Sequence, residues 1–358
     1  MARICFYISS HGFGHATREI EVISQIPPAI DVEIITAVPR WLFEKSLVRP
    51  FDYTEFNHDC GIIQPDSFTQ NLPATYARWC ALLDQYPQFA EDEAARLRSH
   101  DVRAVVGDIS PLAIAVAARL GVPSYLVANF GWDWIFQVFV EEMPAMQSVI
   151  DRIAEYYHQT DCLLQTPLSG PMTAFPHVQP VPLIVRRSHK TRDEARRGFG
   201  LDPQAKVVLI SFGGMGGRSL APDGLLSMED ILFLTFDPTL VRFPNVRFLD
   251  PQTTYHPDAI QACDIAMTKL GYGIVTECIA HQTPILYPPR EKFPEYQVLE
   301  AEAGRYIPLI QLSNHAFFTG QWGALRHVLA RPALSLEPTP RIDGGKVAAQ
   351  ILLDAVGG

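Results

Sequence analysis

The stretch Ile4-Cys5-Phe6-Tyr7-Ile8-Ser9-Ser10-His11-Gly12-Phe13-Gly14-His15-Ala16-Thr17-Arg18-Glu19-Ile20-Glu21-Val22-Ile23 reads as strand, glycine turn and helix. The apolar run suits a strand buried on both faces. Gly12 and Gly14 let the backbone turn sharply and approach a ligand closely, and the helix that follows presents unpaired N–H groups and a partial positive charge. A histidine on such a turn, His15 or His11, is placed for proton transfer because its ordinary pKa is close to neutrality. The same residues also suit a purely structural connection, with glycines shaping it and histidines capping it.

Outward from this segment, strand-like runs at 31–37, 51–57, 103–107, 123–128 and 162–165 alternate with helical patterns, among them 72–98 and 111–120. Gly121 closes the second of these helices. This alternation predicts a parallel sheet covered by helices. Prolines at 167, 171, 176, 180 and 182 mark an interdomain connection over 166–185. A second series opens at Val207-Val208-Leu209-Ile210-Ser211-Phe212 and runs into Gly213-Gly214-Met215-Gly216-Gly217. Further strands are expected at 230–235, 245–249, 264–267 and 284–287, with helices near 257–262, 271–281 and 295–303. The expected organisation is a first α/β domain over 1–165, a second over 186–340, and a C-terminal helix in 341–358 whose apolar face docks on either one.

A chain of 358 residues with 47% hydrophobic residues can build two cores. Charged residues make up 19% and the net charge is −10, a balance unsuited to nucleic acid or acidic membranes. The basic run from Arg186 to Arg197 reads as a solvated face beside the connection, with phosphate contact as the alternative. Six cysteines without a C-x-x-C pair predict neither disulfides nor zinc. No apolar run approaches the ~18 residues of a membrane span, and no leader is evident at the N-terminus, so a cytoplasmic protein is expected.

The segment Thr268-Lys269-Leu270-Gly271-Tyr272-Gly273-Ile274-Val275-Thr276-Glu277 repeats the strand, glycine, helix arrangement. A pyrophosphate would sit on the N–H groups of 271–274 with Lys269 offsetting its charge, and Glu277 would reach ribose hydroxyls. The bland reading of Glu277 is an exposed carboxylate near a helix start. No aspartate-x-aspartate loop suggests a metal, and no bound cofactor is implied.

These blocks resemble glycosyltransferases of the GT-B architecture, two Rossmann-like doubly wound domains facing a cleft, and particularly the UDP-sugar-using, MurG-like group. The likeness extends to the glycosyltransferase-like region of plant L-arabinokinases. It runs through His11 to Glu19, Asp59-Cys60-Gly61 with Gln64 and Asp66, Gly107-Asp108 with Pro111, Asn129-Phe130 with Trp132-Asp133, Val181-Pro182-Leu183 with Arg186-Arg187, Phe212-Gly213-Gly214, Lys269 to Glu277, and Gly344-Gly345 with Val347-Ala348-Ala349. Kinase activity is not expected, since no G-x-x-x-x-G-K-S/T loop is present. The resemblance implies a nucleotide-sugar co-substrate and a small acceptor, with His15 as base and Asp108 orienting it; Asp108 could instead cap the helix at Ser110-Pro111. It implies that Gly213, Gly214, Gly271, Tyr272 and Gly273 approach the diphosphate, that Glu277 holds ribose, and that Glu295 and Gln297 contact the donor sugar. His11, Gly12, Gly14, Trp132 and Asp133 fall on the acceptor side, with core packing the competing role for tryptophan. Thr268 to Gly273 departs from the histidine-cysteine-glycine-tryptophan-asparagine-serine block of plant enzymes, which leaves the donor open. A non-catalytic sugar-nucleotide module and a GT-B-fold epimerase are the competing functions.

Overall fold

Helices flank two parallel sheets in the computed structural model, which describes residues 1–65, 69–212, 220–290, 292–329 and 336–357. Among the described residues the first sheet holds β1 (Ala2–Ile8), β2 (Asp31–Thr36), β3 (Asp52–Glu55), β4 (Asp101–Asp108), β5 (Ser124–Ala128), β6 (Cys162–Gln165) and β7 (Val178–Pro180). Their order is β3-β2-β1-β4-β5-β6-β7. The second sheet holds β8 (Lys206–Ile210), β9 (Ile231–Thr235), β10 (Val246–Phe248), β11 (Ile265–Met267), β12 (Ile285–Tyr287) and β13 (Leu309–Gln311), in the order β10-β9-β8-β11-β12-β13. Ile4 to Ile8 are fully buried, as a central strand covered on both faces requires.

The chain direction through each sheet reverses beside its first strand, between β1 and β4 and between β8 and β11. Loops leaving the carboxyl ends of such neighbouring strands splay apart and leave a crevice. The two crevices face each other, which brings the His11–His15 turn opposite the Lys269–Gly273 turn.

Most strands and the helices Leu72–Leu97, Pro111–Leu120, His256–Ala262, Tyr272–His281 and Pro294–Ala303 lie within a residue or two of the sequence expectation. Gly121 closes its helix in the left-handed conformation, at φ 68°. Differences have physical reasons. The proline-rich connection contains β7, whose Val178, Gln179 and Pro180 pair with Leu163, Leu164 and Gln165 at the sheet edge, where a proline removes no needed donor. The basic run is not a solvated face throughout: Arg196 is buried, its Nε donating to the Ala262 carbonyl at 3.0 Å and its Nη2 to Asp264 at 3.0 Å.

The helix Gly344–Gly357 docks on the first lobe, placing Ala348, Ala349 and Leu352 in one apolar cluster with Ile4, Ile20, Ile23 and Val106. Gly345 lies against the main chain of Glu21, where a side chain would collide. The returning strand of chain is tied down as Leu183 N–H donates to the Arg341 carbonyl at 3.0 Å.

Gly12 starts the helix Phe13–Ser24 at φ 85° and ψ 167°, a region that side chains exclude. Gly12→Ala is therefore expected to lower stability by about 1–3 kcal/mol, read from denaturant midpoints; an unchanged midpoint would contradict the strained turn.

Candidate functional site

Asp108 ends β4 and is followed by Ile109 at φ 64°, a strained conformation for a β-branched residue. Tyr157 holds the turn by donating its hydroxyl to the Ile109 carbonyl at 2.9 Å. The strain aims the Asp108 carboxylate at the helix Phe13–Ser24. There His15 Nδ1 donates to Oδ1 at 2.6 Å, while Arg18 donates through Nη2 to Oδ1 at 2.6 Å and through Nε to Oδ2 at 2.9 Å. Burial alone would raise the Asp108 carboxyl, but Arg18 and then His15 hold it below the usual carboxylate range. An ionised Asp108 only accepts, so His15 Nδ1 supplies the proton of this hydrogen bond, and Nε2 has no partner among the described residues.

The second lobe holds a matching buried carboxylate. Glu277 Oε1 accepts from Arg186 Nη2 at 2.6 Å and Nε at 3.1 Å, and Oε2 accepts from His256 Nδ1 at 2.6 Å. His256 Nε2 lies 3.1 Å from Ser211 Oγ, and its ring stacks on Phe236 at 5.3 Å. The helix Tyr272–His281 starts at Gly271 without a side-chain cap, so its first N–H groups are open. Lys269, beside them, has no hydrogen bond or ion pair among the described residues; burial, then Arg290, lowers its ammonium to about 8.

Between the lobes lies a cleft of about 700 Å³ lined by both sets of residues. It is bridged by Asn129 Nδ2 donating to Glu295 Oε1 at 2.8 Å and by Lys45 Nζ donating to the Thr254 carbonyl at 2.9 Å. The Arg18 guanidinium lies 4.9 Å from the centre of the Tyr272 ring. Gly14 and Gly273 allow the two turns to meet, since a Cβ on Gly273 would come within 3.3 Å of the Gly14 Cα.

No protein-family model matches the chain. It is 33% identical to an L-arabinokinase of Arabidopsis thaliana over 97% of its own length, and it spans about a third (34%) of that relative. An uncharacterized glycosyltransferase of Methanopyrus kandleri is 25% identical, covering 63% of this chain and 70% of the relative. Phytolacca americana UGT2, solved with UDP-2-fluoroglucose and pterostilbene, superposes with a TM-score of 0.61 at 15% identity, covering 100% of this chain and 94% of the other. The fold is GT-B.

Within this GT-B cleft the structure gathers His11, Gly12, Gly14, His15, Lys269, Gly271, Tyr272, Gly273, Glu277 and Glu295. Asp108 sits directly behind His15. Glu277 is buried rather than exposed, because Arg186 and His256 compensate its charge. Three expectations need correction. Gln297 is exposed and does not line the cleft, since it lies two helical positions, about 200°, from the inward-facing Glu295. Trp132 is fully buried in the core, stacked on Phe136 at 5.6 Å. Asp133 is likewise absent from the lining: its carboxylate folds back beside Gly131, at the start of its own helix. Gly213, Gly214 and Asp66 lie outside the described residues.

Sequence reasoning assigned no site role to Arg18, His256 or Ser211, and it read Arg186 as part of a solvated basic run with phosphate contact as the alternative. Arg18 carried a local signal, one helical turn after His15. Arg186 and His256 meet Glu277 only through tertiary packing.

Burial alone would raise the Glu277 carboxyl, but Arg186 and His256 bring it down to about 2. A depressed folded value contributes stability above the unfolded value of ~4.3, and that contribution is lost as pH falls through about 2. The stability gap between the wild type and Glu277→Gln is thus expected to shrink from pH 5 toward 2 in denaturant titrations. A pH-independent gap would contradict the ion-pair assignment.

Proposed function

We propose that this protein transfers a sugar from a nucleoside diphosphate donor, a UDP-sugar, to a hydroxyl of a small acceptor. One observation carries the reading: a buried His15–Asp108 pair faces, across one cleft, an uncapped helix start flanked by Lys269, with the outer imidazole nitrogen and the lysine both unpartnered among the described residues. The relatives and fold neighbours add support. UGT2 of Phytolacca americana carries a UDP-sugar analogue, and the Methanopyrus kandleri relative is named a glycosyltransferase.

In this mechanism the second lobe holds the donor. The diphosphate lies on the N–H groups of 271–274 beside Lys269, and the ribose hydroxyls bond Glu277, whose Oε2 accepts from His256 alone among the described residues. Glu295 faces the sugar. The first lobe holds the acceptor, whose hydroxyl oxygen attacks the anomeric carbon while His15 Nε2 takes its proton. The bond from that carbon to the diphosphate breaks, and the diphosphate leaves with the electron pair. Asp108 stabilises the imidazolium that forms. Helix N–H groups and Lys269, rather than a metal ion, balance the leaving charge.

A second reading, a sugar-nucleotide-binding module without turnover, is favoured by one fact: the relative that spans the chain is named a kinase and is about three times as long. The two separate by assay. Transfer of a labelled sugar from a panel of sugar nucleotides is expected, and His15→Ala should reduce turnover by roughly 100-fold or more with little change in donor affinity. Glu277→Ala should weaken UDP binding in calorimetry. Donor binding without transfer to any acceptor would favour the module, and no nucleotide binding at all would refute both.

A further inference from the structure

Glu19 lies one turn beyond His15 on the same face of the helix Phe13–Ser24. It is completely buried, and no donor among the described residues bonds either of its carboxyl oxygens. Its sequence neighbour Arg18 is committed elsewhere, with Nε and Nη2 on Asp108 and Nη1 on Asn129 Oδ1 at 2.7 Å. His15, Arg18 and Glu19 share one face of the helix, and since the first two both bond Asp108, that aspartate is the carboxylate beside Glu19. Two ionised carboxylates in contact repel, whereas a single proton between them makes a hydrogen bond. Arg18 and His15 already donate to Asp108, so the proton belongs on Glu19.

We propose that Glu19 is a positioning residue whose protonated carboxyl donates a hydrogen bond to Asp108 and completes, with Arg18 and His15, the set of donors that holds the aspartate beneath the histidine. The surroundings agree. Burial, then the neighbouring Asp108, pushes the Glu19 carboxyl well above the usual carboxylate range against the opposing pull of Arg18. The charged groups acting on it are Arg18 from its own helix and Asp108 from β4; Tyr272, from the second lobe, lies over Arg18, and the C-terminal helix brings the apolar Ala348, Ala349 and Leu352. Ionisation of Glu19 would remove a donor from Asp108 and add a like charge beside it.

Wild type, Glu19→Gln and Glu19→Ala test this. Infrared spectra at neutral pH should show a protonated-carboxyl band that Glu19→Gln lacks. A raised folded value contributes stability that is present below the unfolded value and lost as pH rises through the folded one. The wild type should therefore lose melting temperature relative to Glu19→Gln as pH climbs above ~5. The catalytic consequence rests on the transferase reading above: Glu19→Ala should lower turnover on the order of tenfold, and Glu19→Gln, which still donates, should restore it and remove the alkaline descent of kcat/KM. An unchanged carboxyl band with parallel stability curves would overturn the proposal, as would Glu19→Gln being as damaging as Glu19→Ala. If no transfer is found in the wild type, the transferase reading fails alone, and the infrared and stability measurements still decide the role of Glu19.

Discussion

The Asp108 carboxylate, fully buried and tied to Arg18 and His15, is the interaction around which this site is arranged. A buried charge persists only when it is paired and its lone pairs are satisfied. Here the pairing spans two elements that approach each other only in the finished lobe, β4 and the first helix. Satisfying Asp108 therefore fixes the histidine tautomer, the rotation of the helix and the direction of the free ring nitrogen together. Arg18 extends the same linkage outward, since its remaining nitrogen reaches Asn129, and Asn129 in turn donates to Glu295 of the other lobe.

The second lobe solves an equivalent problem with different residues. Glu277 occupies the corresponding helix and is balanced by Arg186 and His256. The two carboxylates stand near two switch points that each arise because a parallel sheet grows in both directions from its first strand. Gly14 and Gly273 then let the helix starts touch. Close approach at one point leaves room on either side of it, and that room is the cleft.

Much of this was legible along the chain. The strand periods, the glycine turn at Gly12 and the helix ended by Gly121 are local consequences of buried apolar runs and of backbone conformations that glycine alone adopts freely. His15 was recognisable on its glycine turn after the first strand, and Asp108 through the family resemblance, which sets it behind that histidine. Other features were not. The strand Val178–Pro180 hides among prolines because an edge strand needs few donors. Gln297 looked inward beside Glu295 until the helix phase placed it outside. For Trp132 the sequence left acceptor contact and core packing open, and the fold places it in the aromatic core.

The sequence by itself determined two α/β lobes, their glycine turns and the chemical types available at each strand end, because these follow from periodicity and local backbone sterics. Only the tertiary structure decided which charges meet: that Arg18 binds Asp108, that Arg186 and His256 compensate Glu277, and that the C-terminal helix returns to the first lobe. The pairs that hold the two buried carboxylates join residues as much as 93 positions apart, and no local pattern encodes a partner at that distance.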